Sequence, residues 1–412
     1  MTFDTRALAP ENPQEWDTFF DRLERAFGGP PALPEERAQW RAVTEFDRTL
    51  AVRDGAELIG TAGAFSFRMT VPGGAALAVP GVTMVSVQPT HRRRGVLTGL
   101  MRTQLDDFRE RGEAVAVLTA SEPAIYGRFG YGIATKQLYG TIDTTRVAFA
   151  RPAGAERIRF RFVSPADGLD ACEAVYARLV PGRAGLLARA PGWAARFVLD
   201  PPAGREETGP LHCVLAEVDG ETRGYARYAV ADGWSNAGAD GTIRLQDVEA
   251  LDPVTYAALW NFLGSVDLTS SITFHNRPAD DPLQHLASDP RRCRLGYRDG
   301  LHVRLVDIGA ALAARTYTAP VDVVLDVEDA FCPWNSGRWR LSGDAKGAVC
   351  ERTVDPAELE LSIKELGAAY LGGFGLSAMA GAGLVREARP GALAEASAAF
   401  RGDPEPWLPH GF

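Results

Sequence analysis

Between Val82 and Tyr131 the chain passes through an apolar strand, a basic turn holding a glycine, an amphipathic helix, a second apolar strand and a short aromatic segment. Few folds accommodate that order. Met84-Val85-Ser86-Val87-Gln88-Pro89 reads as the first strand and His91-Arg92-Arg93-Arg94-Gly95-Val96-Leu97-Thr98 as the turn and helix start. Ala114-Val115-Ala116-Val117-Leu118 is the second strand, and Tyr126-Gly127-Arg128-Phe129-Gly130-Tyr131 closes the stretch. Gly95 to Arg111 carries Val96, Leu97, Leu100, Met101, Leu105 and Phe108 at helical spacing. The first turn of such a helix presents unpaired N–H groups and the positive end of its dipole. Arginines there oppose the dipole unless an anion neutralises them, and Gly95 lets a ligand approach the backbone closely. The loop therefore reads as a pyrophosphate cradle rather than as a solvated basic turn.

The remaining sequence predicts two or three domains for 412 residues. Trp16, Phe19, Phe20, Leu23 and Phe27 recur at helical spacing before Gly28-Gly29-Pro30-Pro31. Asp54-Gly55 between two apolar runs predicts a hairpin. After Arg151-Pro152-Ala153-Gly154, a linker, the pattern partly repeats. A hairpin turns at Asp219-Gly220, the strand Arg244–Ala250 follows, and Asp252-Pro253 leads into a helix over Tyr256–Leu263. No arginine-rich glycine loop lies between that strand and helix, so the repeat is either a cradle-less duplicate or a chance likeness. From about Leu301 the texture changes to short strands, helices over Ser362–Leu371 and Gly391–Phe400, and a tail rich in proline that ends in Trp407 and Phe412. Two aromatics in so short a tail predict that it docks.

Net charge is −9, which disfavours generic nucleic-acid binding and suits a small cationic partner. No run of about 18 apolar residues predicts a membrane span. The N-terminus lacks the charge and apolar pattern of a secretory signal. Five scattered cysteines without paired spacing fit a reducing, cytoplasmic setting and predict no metal site.

The loop Arg92-Arg93-Arg94-Gly95-Val96-Leu97 resembles the coenzyme A motif of the GNAT superfamily of N-acetyltransferases, with Leu97 where a small residue is usual. The span Val85–Gly132, a cradle-less second copy and a third region together resemble the Eis (enhanced intracellular survival) family over essentially the whole chain. The resemblance implies an α/β (α+β) architecture of tandem GNAT folds with mixed sheets. Residues 1–150 would be the catalytic domain, 151–297 a GNAT-like domain without the coenzyme A loop, and 298–412 a domain like sterol carrier protein 2. It implies acetyl-CoA as co-substrate, bound by Val85, Ser86, Val87, Arg93, Arg94, Gly95, Val96, Leu97, Thr98, Ser121 and Glu122, with no metal. It implies Tyr126 as general acid toward the departing thiolate, with Tyr131 as the competitor for that role. The general base would be the C-terminal carboxylate, here that of Phe412. It also implies a homohexamer and an acceptor amine on a polycationic small molecule of aminoglycoside type.

Phe27 and Trp40 are candidates to line the acceptor pocket, and Asp21, Glu24 and Glu122 to attract a cation; each reads equally as ordinary core or surface. His91 reads as a solvated loop residue and His410 as structural. Ser86 and Ser121 lack a His/Asp arrangement, which disfavours a serine hydrolase. Protein-lysine acetylation and a non-catalytic acyl-CoA or lipid-binding scaffold are the alternative functions.

Overall fold

The structure, a computed structural model, describes residues 3–9, 12–205, 207–236 and 238–412. Contacts divide the chain into two units. One holds the residues up to Thr135, Asp299–Pro406 and Gly411–Phe412; the other holds Lys136–Arg298 and Trp407–His410. Among the described residues no helix is long and apolar enough to cross a membrane, and the five cysteines are buried and free.

The first unit begins with strand β1 (Asp4–Ala7), helix α1 (Pro13–Phe27) and helix α2 (Pro34–Val43). Asn12 caps α1 by accepting the Glu15 N–H, Pro13 stands in its first turn, and Gly28 ends it at φ 72°. Trp16, Phe19, Phe20 and Leu23 form its buried stripe. Strands β2 (Leu50–Asp54), β3 (Glu57–Thr70) and β4 (Ala76–Val87) follow, then helix α3 (Val96–Glu110), β5 (Val115–Thr119) and β6 (Gly132–Ile133). The sheet runs β1, β2, β3, β4, β5, then the distant strand Leu301–Leu305, then β6. Only the β4–β5 pairing among these is parallel. Helix α3 lies on this sheet. Val96 and Leu100 pack with Val52, Ile59 and Ala62, while Met101, Leu105 and Phe108 pack with Ala64, Val82, Ala116 and Leu118. Each of these large side chains contributes about 1.5–3 kcal/mol by leaving water.

The C-terminal part of this unit has a second sheet, ordered Gly347–Arg352, Gly337–Asp344, Val321–Glu328, Leu359–Ser362, Val385–Glu387. Ser362 caps the helix Ile363–Ala369 through the Lys364 N–H. Arg304, on the strand that completes the first sheet, donates to Asp329 at 2.6 Å, both buried.

In the second unit the sheet runs Gly296–Asp299, Lys136–Asp143, Thr269–Arg277, Gly241–Ala250, Glu221–Ala231, His212–Val218, Arg159–Val163. Its hairpin turns with Asp219 at φ 51° and Gly220 at φ 83°. Strand Gly241–Ala250 pairs in parallel with Thr269–Arg277, as β4 does with β5. The helix between them, Pro253–Leu263, starts at Asp252, whose carboxylate accepts from Thr255 N at 2.8 Å. An acid caps the turn where α3 offers glycine and arginine, so this copy repeats the strand–helix–strand order without an anion cradle.

Two strands pair across the expected domain borders. Lys136–Asp143, expected within 1–150, pairs in the second unit's sheet; Leu301–Leu305, expected within 298–412, is an interior strand of the first. Asp299–Pro406 and Gly411–Phe412 share a contact unit with the residues up to Thr135.

Candidate active site

The first sheet opens at β4. Thr61 on β3 faces Ser86 and Gly63 faces Thr83, so Met84 and Val85 together oppose the single residue Ala62. That is a β-bulge, and Met84 sits in it at φ 51°. Thr61 pins it: Oγ1 donates to Met84 O at 2.7 Å and lies 2.7 Å from Ser86 Oγ. From α3, Gln104 Nε2 donates to Gly63 O at 3.0 Å on the facing strand. The ladder between β4 and β5 covers only Gly81–Val117 and Val82–Leu118. Beyond it the two strands part, which leaves the backbone of Thr83–Val87 without a ladder partner on that side. Val85 and Val87 are half-buried there, whereas the Ser86 side chain is buried against Thr61.

The parting leads into the basic loop. Gly95 caps α3 at φ 87° and no side chain caps the helix. A Cβ on Gly95 would meet nothing within 4 Å, so the space over the first turn is open. The arginines divide their tasks. Arg92 leans toward Ala26 O, at the end of α1, at 3.4 Å. Arg94 lies 3.8 Å from Asp54 and 5.3 Å from the Phe3 ring. Arg93, at φ 61°, is exposed and has no ion pair among the described residues. Val96 is buried, Leu97 half-buried and Thr98 exposed. His91, expected in solvent, is buried instead, 2.8 Å from Thr90 Oγ1 and 3.4 Å from Asp54.

Beyond β5, Ser121 and Glu122 are exposed and the short helix Pro123–Phe129 carries Tyr126. Tyr126 is half-buried; burial, then the Glu122 charge, pushes its phenol up to about 12. Tyr131 stands edge-on to it at 6.1 Å but is 2% exposed, its hydroxyl has no hydrogen-bond partner among the described residues, and burial raises its pKa further. Of the two, Tyr126 is the one with access to a ligand.

The chain end reaches the same place. The Phe412 ring stands edge-on to Phe67 at 5.1 Å, Phe67 lies 5.8 Å from Phe65, and Phe65 stacks on Trp40 at 6.3 Å. A Cβ on Gly81 would lie 2.9 Å from the Phe412 ring, so glycine lets that ring rest on β4 where the strands part. A Cβ on Gly411 would lie 3.6 Å from Thr119 Oγ1, at the end of β5. Trp40 thus joins an aromatic row ending at Phe412, whereas Phe27, at the last residue of α1, is 59% exposed. Asp21 and Glu24 are engaged by Arg37 at 2.7 and 2.8 Å. Sequence reasoning missed Thr61, Gln104, Gly81, Phe65 and Phe67. Phe65 and Phe67 were within its reach, since alternate strand residues share a face.

Family models described as acetyltransferase (GNAT) domains match residues 8–134 and 185–305, and one described as a sterol carrier protein domain matches 308–409. A Streptomyces avermitilis protein named as an uncharacterized N-acetyltransferase is 60% identical over the whole of both chains. The N-acetyltransferase Eis of Mycobacterium tuberculosis is 35% identical over 90% of each chain. The crystal structure of Eis1 from Mycobacterium abscessus is 36% identical and superposes with a TM-score of 0.84, covering 99% of this chain and 100% of that one.

Proposed function

The chain belongs to the Eis family of GNAT N-acetyltransferases, and on that premise we propose that its first unit transfers acetyl from acetyl-CoA to an amine of a polycationic, aminoglycoside-like acceptor. The observation that carries this is the parting of β4 from β5 with Phe412 lodged against Gly81 at its root. In this reading the pyrophosphate meets the α3 N-terminus and Arg93, which has no ion pair among the described residues. The pantetheine amides pair with the open backbone edge of Thr83–Val87, and an N–H of that edge holds the thioester oxygen as it becomes an oxyanion.

Two groups then manage protons. The Phe412 carboxylate takes the proton from the acceptor ammonium, directly or through water. Its ordinary pKa, about 3.5, makes it a weak base, so its placement beside the amine has to supply the advantage. Tyr126 faces the departing thiolate. A phenol held near 12 keeps its proton at neutral pH and offers the thiolate a strong hydrogen bond before yielding it. The net charge of −9 draws a polycation toward the molecule.

The test is free-thiol release from acetyl-CoA with an aminoglycoside acceptor, in wild type, Tyr126→Phe and a chain lacking Phe412. Both variants should lose about 100-fold or more in kcat while still binding coenzyme A. Activity that survives loss of Phe412 removes the base. Faster acetylation of protein lysines than of any aminoglycoside assigns the other acceptor class. Acetyl-CoA binding without turnover on either acceptor leaves a scaffold.

A further inference from the structure

The second copy of the fold has a parting of strands as well. Gly241–Ala250 and Thr269–Arg277 pair from Gly241–Thr269 to Leu245–Phe274, and there the ladder stops. In this copy the chain itself fills the gap. Arg277 Nη1 donates to Val248 O at 2.7 Å and to Glu249 at 2.9 Å, while its Nε donates to Asp281 at 2.9 Å. The guanidinium is buried, and the two carboxylates compensate its charge.

The C-terminal segment seats on that plug. Just before Arg277 the strand's register shifts, and Asn276 takes φ 59°, a left-handed conformation that asparagine tolerates. Asn276 O accepts the indole N–H of Trp407 at 2.8 Å, and the Trp407 ring lies 4.8 Å from the Arg277 guanidinium. The Trp407 backbone N–H donates to Ala184 O at 2.9 Å. Gly185, at φ +90°, makes the approach possible, because a Cβ there would lie 2.9 Å from Trp407 O. Trp407 packs with Tyr176, Val180 and Leu186, Leu408 is fully buried, and the His410 ring lies 5.1 Å from Phe197. All these groups belong to the second unit.

We propose that the cofactor cleft of the second GNAT copy has become a clamp for the C-terminal segment, and that Trp407 is the positioning residue that sets where the Phe412 carboxylate stands. A tether of five residues follows Trp407 and spans at most about 18 Å, so fixing the indole confines the carboxylate. The second half of this inference rests on the assignment of Phe412 as general base.

Two readouts test it: the rate at which carboxypeptidase Y releases Phe412, and the kinetics of acetyl transfer. They are compared in wild type, Trp407→Ala, Trp407→Phe, the chain lacking Phe412, and that chain with Trp407→Ala. Trp407→Ala should release Phe412 about tenfold faster, because exoproteolysis follows the undocked population. Its kcat should fall toward that of the truncated chain with the acetyl-CoA KM within about twofold of wild type. Trp407→Phe, which keeps a ring over Arg277, should recover part of both. In the truncated background Trp407→Ala should cost nothing more. An unchanged release rate overturns the clamp, and a further loss in the truncated background shows that Trp407 supports the fold rather than the tail. If the truncated chain stays active while Trp407→Ala speeds release, the base assignment falls and the clamp stands.

Discussion

Burial separates two tyrosines that stand side by side. Tyr131 is sealed in the core beneath the short helix, while Tyr126 keeps an exposed flank and a phenol near 12. Since an unfolded tyrosine titrates near 10, the native state favours the neutral phenol. That contribution to stability is complete below pH about 10 and is lost as pH rises toward 12. A phenol of this kind stays protonated across the working range. The kcat profile should therefore show no falling limb from Tyr126 below pH about 10. The tyrosinate absorbance difference between wild type and Tyr126→Phe should have its midpoint near 12. A midpoint near 10 would contradict the burial described here. The string Tyr126–Tyr131 identified the region from sequence, but the choice between its tyrosines depends on solvent access, which a string does not encode.

At the scale of elements, the site is a defect built into a sheet. The strand, the basic loop and the amphipathic helix follow from local pattern, because apolar periodicity and a glycine at a helix start are properties of neighbouring residues. The bulge at Met84 and Val85 is not local. It exists because Thr61, on the facing strand, reaches Met84 O and Ser86 Oγ, and because Gln104 holds Gly63 O from the helix. Thr61→Val keeps the side chain's shape and removes both of its bonds, leaving a buried carbonyl short of a donor. The expected cost is about 1–3 kcal/mol of stability. Coenzyme A affinity should weaken as well, because in the proposed reading the bulge aims the backbone that pairs with the ligand. Denaturant unfolding and calorimetric titration with coenzyme A would measure the two effects, and Thr61→Ser should restore both. Unfolding at lower denaturant with unchanged affinity would separate the bulge from binding.

The whole molecule is assembled against the order of its sequence. The linker at Arg151–Gly154 marks a border in composition, yet strand Lys136–Asp143 before it serves the second unit's sheet, and Leu301–Leu305, far beyond it, serves the first sheet. Strand character was readable in the later segment. The partners of the two strands were not, because pairing over such separations is fixed by which apolar edge each strand covers. A chain stopped at residue 150 therefore lacks the neighbour of β5. It bares the backbone of Val115–Thr119 at a new edge and carries Lys136–Asp143 with no sheet to join, so it should aggregate. A better fragment follows from the hydrogen bonds at the junction. Gly300 N donates to Thr135 O at 2.9 Å and Leu301 N to Thr135 Oγ1 at 2.7 Å, so the ends of the intervening segment meet. Joining Thr135 to Asp299 through a short glycine-rich loop and ending the chain at Pro406 retains the seven strands from β1 to β6, together with the second sheet that packs beside Arg304. Soluble yield and cooperative thermal unfolding should favour this fragment over 1–150. It should bind coenzyme A and, lacking Phe412, turn over poorly. A soluble, cooperatively folded 1–150 fragment would mean that the strand from beyond residue 300 is dispensable, and the first unit would have to be redrawn.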